Sequence, residues 1–218
     1  MMISLSSFDN LIASRSLLRH PFYLKWSKGE LTQEDLVVYA KEYYHLVKHV
    51  PGLVSRIKDR VSDKDLRAKI EENEREEKEH IALWERFALS LGVSDQELAQ
   101  YQPSTIVCDA VATLEAIMEK SAEEGIAAMY ALERELPAIA ATKKEGLLKF
   151  YGLSSTDAHA YFDEHLGEEK HLEVWRVFPV RFAEAKSAVE RSLDAQHKVL
   201  DAVCVLRGIS LECATMAA

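Results

Sequence analysis

The stretch Tyr161–His171, YFDEHLGEEKH, constrains this chain more than any other. Between Glu164 and His171 it gathers two histidines, His165 and His171, and three carboxylates, Glu164, Glu168 and Glu169, into about two helical turns. Far upstream, Glu77-Lys78-Glu79-His80 forms an E-x-x-H pair. Between them lies Glu133, in a segment that is otherwise apolar on one side. A carboxylate on a buried stripe is costly unless something compensates it. Here three segments each put such groups on an apolar stripe, and the candidate ligands among them are Glu and His. A pair of metal ions at the centre of a helical frame accounts for all three at once.

The frame follows from spacing. Glycine (8) and proline (5) are scarce in 218 residues, while Ala, Leu, Glu and Lys are abundant, so the chain reads as mostly helix. A first helix is expected over about 7–19, closed by His20-Pro21. FYLKWSKGEL then reads as an aromatic-rich turn. Thr32 caps a helix with apolar positions Leu36, Tyr39, Tyr43, Leu46, Val47 and Val50, kinked at Pro51-Gly52. Asp63 or Ser62 caps the next, whose stripe runs Leu66, Ile70, Asn73, Glu77, His80 or Ile81, Trp84, Ala88 and Leu91. Asn73, Glu77 and His80 are polar where that pattern asks for apolar residues. Ser94 to Glu97 is a capping box. A helix over about 123–151 carries Glu133 and Lys143 on its apolar side and is kinked at Pro137. Ser155 or Thr156 caps the helix holding the opening stretch, and a last helix covers about 184–206. Residues 1–207 read as one domain and 208–218 as a loose, disordered tail.

The i,i+3 spacing of E-x-x-H puts both side chains on one helix face, so both can reach one cation. Two such pairs plus a further inward Glu match the ligand arithmetic of helix-bundle di-metal carboxylate sites. Mixed carboxylate and imidazole donors suit Fe(II) and Mn(II) better than copper or structural zinc. The second pair is Glu168 and His171, and the phase is imperfect only when His165 is added. His165 and His171 are six residues apart, about 120° on an ideal helix, with Glu168 midway. A loosened turn at Gly167 would re-phase them; Glu164, Glu168 and His171 form an alternative inward set, and Glu169 is a further substitute. Glu71, Glu72, Glu76 and Glu79 read as a solvated face.

The formal net charge of −9 and the lack of a basic stripe argue against nucleic acid. No apolar run reaches a membrane span's length, and no leader pattern opens the chain, so a cytoplasmic protein is expected. Cys108, Cys204 and Cys213 have no recognisable spacing and fit a reducing compartment.

The segments FYLKWSKGELT, YAKEYY, the HIALW that follows E-x-x-H, YALERELPAIA and YFDEH with its later His resemble the chlamydial proteins associating with death domains (CADD-like) and their relatives. These belong to the heme-oxygenase-like, PqqC/TenA-related di-metal oxidases. The resemblance covers about residues 15–182. It implies an all-α, seven-helix, heme-oxygenase-like bundle, a homodimer, and a centre of two iron ions or one manganese and one iron. It also implies O₂ as cosubstrate, an external reductant, and formation of p-aminobenzoate for folate from the enzyme's own tyrosine, with a lysine as amino donor. The match puts the metal on Glu77, His80, Glu133, His165, Glu168 and His171. It makes Tyr23 the consumed tyrosine, Tyr39 a second redox tyrosine and Lys143 the nitrogen donor, with Tyr161 near the site. Two departures stand out. The Glu-to-His spacing on the first metal helix is contracted to E-x-x-H. In the last helix the usual H-x3-D-x2-H is one residue shorter and its acid is Glu. Other readings are a di-metal oxidase acting on a separate small molecule, and a non-enzymatic metal- or partner-binding protein.

Overall fold

A computed structural model describes residues 2–167 and 169–212; of Glu169 it describes the backbone alone. The helices are α1 (Asp9–Ser14), α2 (Pro21–Trp26), α3 (Gln33–Lys58), α4 (Lys64–Ser90), α5 (Asp95–Gln100), α6 (Thr105–Met118), α7 (Ala122–Glu133), α8 (Leu136–Lys149), α9 (Thr156–His165), α10 (Glu169–Arg176) and α11 (Phe182–Arg207). Short 3₁₀ turns cover Leu5–Phe8 and Leu17–Arg19. Two two-residue strands, β1 (Met2–Ile3) and β2 (Val180–Arg181), pair antiparallel with Met2 opposite Arg181. They tie the start of the chain to the entrance of α11.

Local chemistry sets most helix starts. Thr32 and Ser94 each form a capping box, with Asp35 and Glu97 respectively, and the side chains of Asp63, Ser104, Ser121 and Ser155 cap α4, α6, α7 and α9. The FYLKWSKGEL segment departs from the expected turn, because its first half is helical. Pro21 stands at the first position of α2, where its fixed φ suits a helix start, and the His20 ring accepts from Phe22 N at 3.2 Å. α3 runs on through Pro51, held by buried Leu46, Val47, Leu53, Val54 and Ile57.

The described residues form more helical segments than the seven implied by the resemblance. One expected helix splits at Arg134-Glu135, just before Pro137, into α7 and α8. Another splits after His165 into α9 and α10. α11 closes at Gly208 in a left-handed conformation (φ 65°). Of the expected tail, residues 213–218 lie outside the described residues, as does Cys213. Among the described residues, no helix is long and apolar enough to cross a membrane.

α3 packs on α4, α6, α7 and α11; α4 packs on α9 and α10; α11 lies across α6 and α7. The core falls into two clusters. One is built on α6, α7 and α11 and includes Leu46, Leu132 and Trp175. The other gathers Tyr23, Trp26, Tyr39, Trp84, Phe87, Tyr161 and Phe162. Tyr43 packs against both. Gly146 lets α8 lie against Trp26, whose indole donates to the Lys143 carbonyl at 3.3 Å. A Cβ at Gly146 would sit 2.4 Å from Trp26 Nε1. Gly146→Ala is therefore expected to destabilise the fold by about 1–3 kcal/mol despite alanine's better helix propensity; equilibrium unfolding in denaturant would measure it.

Candidate metal centre and the lysine beside it

Five of the six side chains expected to hold metal converge where the two core clusters meet. Glu77 and His80 come from the middle of α4, Glu133 ends α7, His165 ends α9, and His171 lies on α10. All five are less than a tenth exposed. One ligand atom each from Glu77, Glu133 and His171 lie within 4.8 Å of one another. Glu77 faces two histidines: Oε2 is 3.4 Å from His80 Nδ1, and Oε1 is 3.6 Å from His171 Nδ1. The His80 and His165 rings are 4.7 Å apart. The sixth, Glu168, lies outside the described residues. Of the alternatives, Glu164 is exposed, and the Glu169 side chain is not described.

The break between α9 and α10 resolves the phase conflict of an unbroken helix. With α9 ending at His165 and α10 starting at Glu169, the two histidines need not share one helical phase. The end of α7 matters as well. A carboxylate at a helix C-terminus opposes the helix dipole, so Glu133 is placed where a cation would compensate it.

Neighbouring groups orient the site. The Trp175 indole donates to Glu133 Oε2 at 2.6 Å. His165 Nδ1 meets the Tyr161 carbonyl at 2.6 Å, and its ring stacks on Tyr161 at 4.1 Å. With Nδ1 as the donor, Nε2 is left as the ligating atom. His171 Nε2 is 2.5 Å from Glu76 Oε2, which turns Nδ1 toward Glu77. Partial burial pushes the Glu76 carboxyl up, but hydrogen bonds from Lys170 and His171 outweigh it and hold the group below the usual carboxylate range. Glu76 is thus no part of a purely solvated face. Trp175 and Glu76 escaped the sequence reading because only their partners on other helices reveal them.

Among the described residues the donor set fits a divalent cation: carboxylates and imidazoles without a thiolate, gathered in a largely dry interior. Trp175→Phe keeps the aromatic bulk but deletes the hydrogen bond to Glu133. A fall of roughly tenfold in divalent-metal affinity is expected, measurable by titration calorimetry with Mn(II).

Lys143 occupies the far side of this site. Its side chain is 2% exposed. Its amine lies 4.9 Å from the Tyr43 ring centre, 5.1 Å from Tyr39, 5.2 Å from Phe162, and 5.7 Å from both Tyr23 and Trp84. Burial among these rings lowers its pKa to about 7, so much of it is neutral near neutrality. Burial also raises the phenols of Tyr23 and Tyr39 well above the ordinary tyrosine value; Tyr43 adds to the rise at both, and Tyr23 adds to it at Tyr39, while the Tyr39 hydrogen bond partly offsets it at Tyr23. Tyr43 is pushed up to about 12, first by burial and then by the charge of Glu77. It therefore senses both halves of the site. A cavity of about 30 Å³ lies between them, bordered by Tyr43, Glu77, Glu133, Tyr161 and His165 and otherwise apolar. That is room for one small molecule. A second cavity of about 440 Å³ reaches His80 and His171 from the side of Glu79, Glu164 and Gly167.

Comparison with known proteins agrees with this architecture. A protein named 4-aminobenzoate synthase from Chlamydia muridarum is 38% identical over 204 residues, covering 91% of this chain and 83% of that protein. One of the same name from Nitrosomonas europaea is 34% identical over 217 residues, covering 89% of this chain and 88% of that protein. The crystal structure of a domain of unknown function with a heme oxygenase-like fold from Shewanella denitrificans superposes with a TM-score of 0.78 at 19% identity, covering 97% of this chain and 99% of that one. The fold is thus heme-oxygenase-like. The family model TENA/THI-4/PQQC matches residues 11–205, nearly the whole described length, and the chain belongs to that family.

Proposed function

We propose that the protein makes p-aminobenzoate from its own Tyr23 in an O₂-dependent, self-sacrificing reaction, with Lys143 as the source of nitrogen. The observation that carries the reading is the Lys143 amine, fully buried and 5.7 Å from the Tyr23 ring. The names of the relatives in Chlamydia muridarum and Nitrosomonas europaea support the product.

In this reading Glu77, His80, Glu133, His165, Glu168 and His171 hold two iron ions, or one manganese and one iron. When bound and reduced by an external donor, that pair supplies the O₂ chemistry that no side chain of the chain can supply. The remaining work belongs to the protein. The aromatic cage around Lys143 keeps the amine dry and holds a large share of it unprotonated near neutral pH, and hence nucleophilic. The rings of Phe22 and Tyr39 hold Tyr23 in place, at 5.6 and 4.8 Å along the chain Tyr23–Phe22–Tyr39. Tyr39 is 5.3 Å from Tyr43 and acts as the second redox tyrosine, between the oxidising centre and Tyr23. The small apolar cavity beside Glu77 and Glu133 suits O₂. The working form is a cytoplasmic homodimer.

The test uses the whole protein, loaded with Fe(II), or with Mn(II) and Fe(II), without oxygen. It is then exposed to O₂ and a chemical reductant with no substrate added. At most about one p-aminobenzoate per chain is expected, together with loss of the side chain at Tyr23 in peptide mass spectra. Product exceeding the chains present, with Tyr23 intact, would overturn the reading and favour an oxidase acting on a separate small molecule in the cavity beside His80 and His171.

A further inference from the structure

Asn73 has no task in that chemistry, yet it is 2% exposed, and neither Oδ1 nor Nδ2 has a hydrogen-bond partner among the described residues. A buried amide with both ends unmet is rare in native proteins. It points to a water or an ion that the protein atoms do not include. Its position narrows the choice. Asn73, Glu77 and His80 are at i, i+4 and i+7 on α4, so they form one row on one face. Glu77 stands in the middle, with His80 one turn to one side and Asn73 one turn to the other.

The two ends of this row differ. At one end Glu77 Oε2 faces His80, whose ring lies against His165. At the other, Glu77 Oε1 faces His171, which together with Glu133 completes the tight group of ligand atoms. Asn73 and His171 border a common cavity of about 380 Å³ with Glu72 and Glu76. Those two acids are already engaged, Glu72 by Lys170 and Glu76 by Lys170 and His171. Asn73 thus belongs to the His171 end of the site, and its amide is not used by the acids beside it.

We propose that Asn73 gives its amide oxygen to the divalent cation held by Glu77, Glu133 and His171, as an uncharged ligand. The proposal rests on the metal reading above. Amide oxygens are ordinary donors to hard divalent cations, and a neutral one leaves that position with less negative charge than a carboxylate would. The His171 position then binds its ion more weakly than a fully carboxylate-lined site would, and a carboxylate at residue 73 would tighten it.

The test is Mn(II) titration of the whole protein, read by calorimetry and by the electron paramagnetic resonance of free Mn(II), with the melting temperature of the metal-free protein beside it. Asn73→Leu is nearly the same size and removes the unmet amide. It is expected to raise the melting temperature of the metal-free protein and to weaken one Mn(II) site by at least about tenfold. Asn73→Asp is expected to tighten the same site and serves if the leucine variant fails to fold. Wild-type protein that binds Mn(II), with both variants binding it identically, would overturn the role of Asn73 and leave the metal reading standing. Wild-type protein that binds no Mn(II) and no Fe(II) would overturn both.

Discussion

Tyr23→Phe is expected to reduce p-aminobenzoate formation by the metal-loaded protein to background while leaving the fold and metal content unchanged. The phenylalanine keeps the ring that packs edge-on to Phe22 at 5.6 Å and lies under the Lys143 amine at 5.7 Å. Only one oxygen atom is removed, so the change in stability should stay within about 1 kcal/mol. The chemical change is much larger, because a phenol is readily oxidised and a benzyl side chain is not. Tyr23 contributes no ligand atom to the group formed by Glu77, Glu133 and His171. Metal content should therefore match wild type, which separates this loss from collapse of the centre. The measurement is product yield by mass spectrometry against iron and manganese per chain. Product at wild-type yield from the variant would remove Tyr23 as the source of the ring.

Lys143→Met is expected to abolish product and, at the same time, to stabilise the protein at neutral pH. The two effects share a cause. Folding moves the lysine from water, where its pKa is 10.5, to a site where burial lowers it to about 7. Between those two values the unfolded chain holds a proton that the folded chain has released, so stability rises with pH across that window. The penalty is full below about pH 7 and has faded by about pH 10.5. At pH 7 it is on the order of 4 kcal/mol. Methionine fills similar space without a charge to lose. The variant should therefore melt roughly 10 °C above wild type at pH 7, with the gap narrowing as the pH climbs toward 10. A variant no more stable than wild type at pH 7, or a gap independent of pH, would show that the amine is solvated or paired in the folded state. Among the described residues, the ionisable groups facing it are the phenols of Tyr23, Tyr39 and Tyr43. Burial keeps all three neutral through this window, so none of them offers the ammonium a counter-charge.

Three departures from the expected fold share an origin. The helix at Pro21–Trp26 looked like a turn because its aromatic residues show no stripe over so short a length; α2 is held by buried Phe22, Tyr23 and Trp26 packing into the second core cluster. The interruption between His165 and Glu169 was visible only as a conflict of phase. Glu76, in an acidic run that looked wholly solvated, turned out to brace His171 from another helix.

The sequence by itself determined the helical class, the places where helices begin and the set of polar residues on apolar stripes. These depend on residues three or four apart, which any reader of the chain can pair: Thr32 with Asp35, Ser94 with Glu97, Glu77 with His80. Family likeness fixed the six-residue ligand set and suggested the roles proposed for Tyr23 and Lys143. Only the tertiary structure decided that Lys143 is enclosed by five aromatic rings from four helices, that Trp175 braces Glu133, and that Asn73 is buried beside the cavity reaching His171 with its amide unmet by any described residue. Burial and dielectric environment are properties of how distant segments meet, and no periodicity along the chain records them.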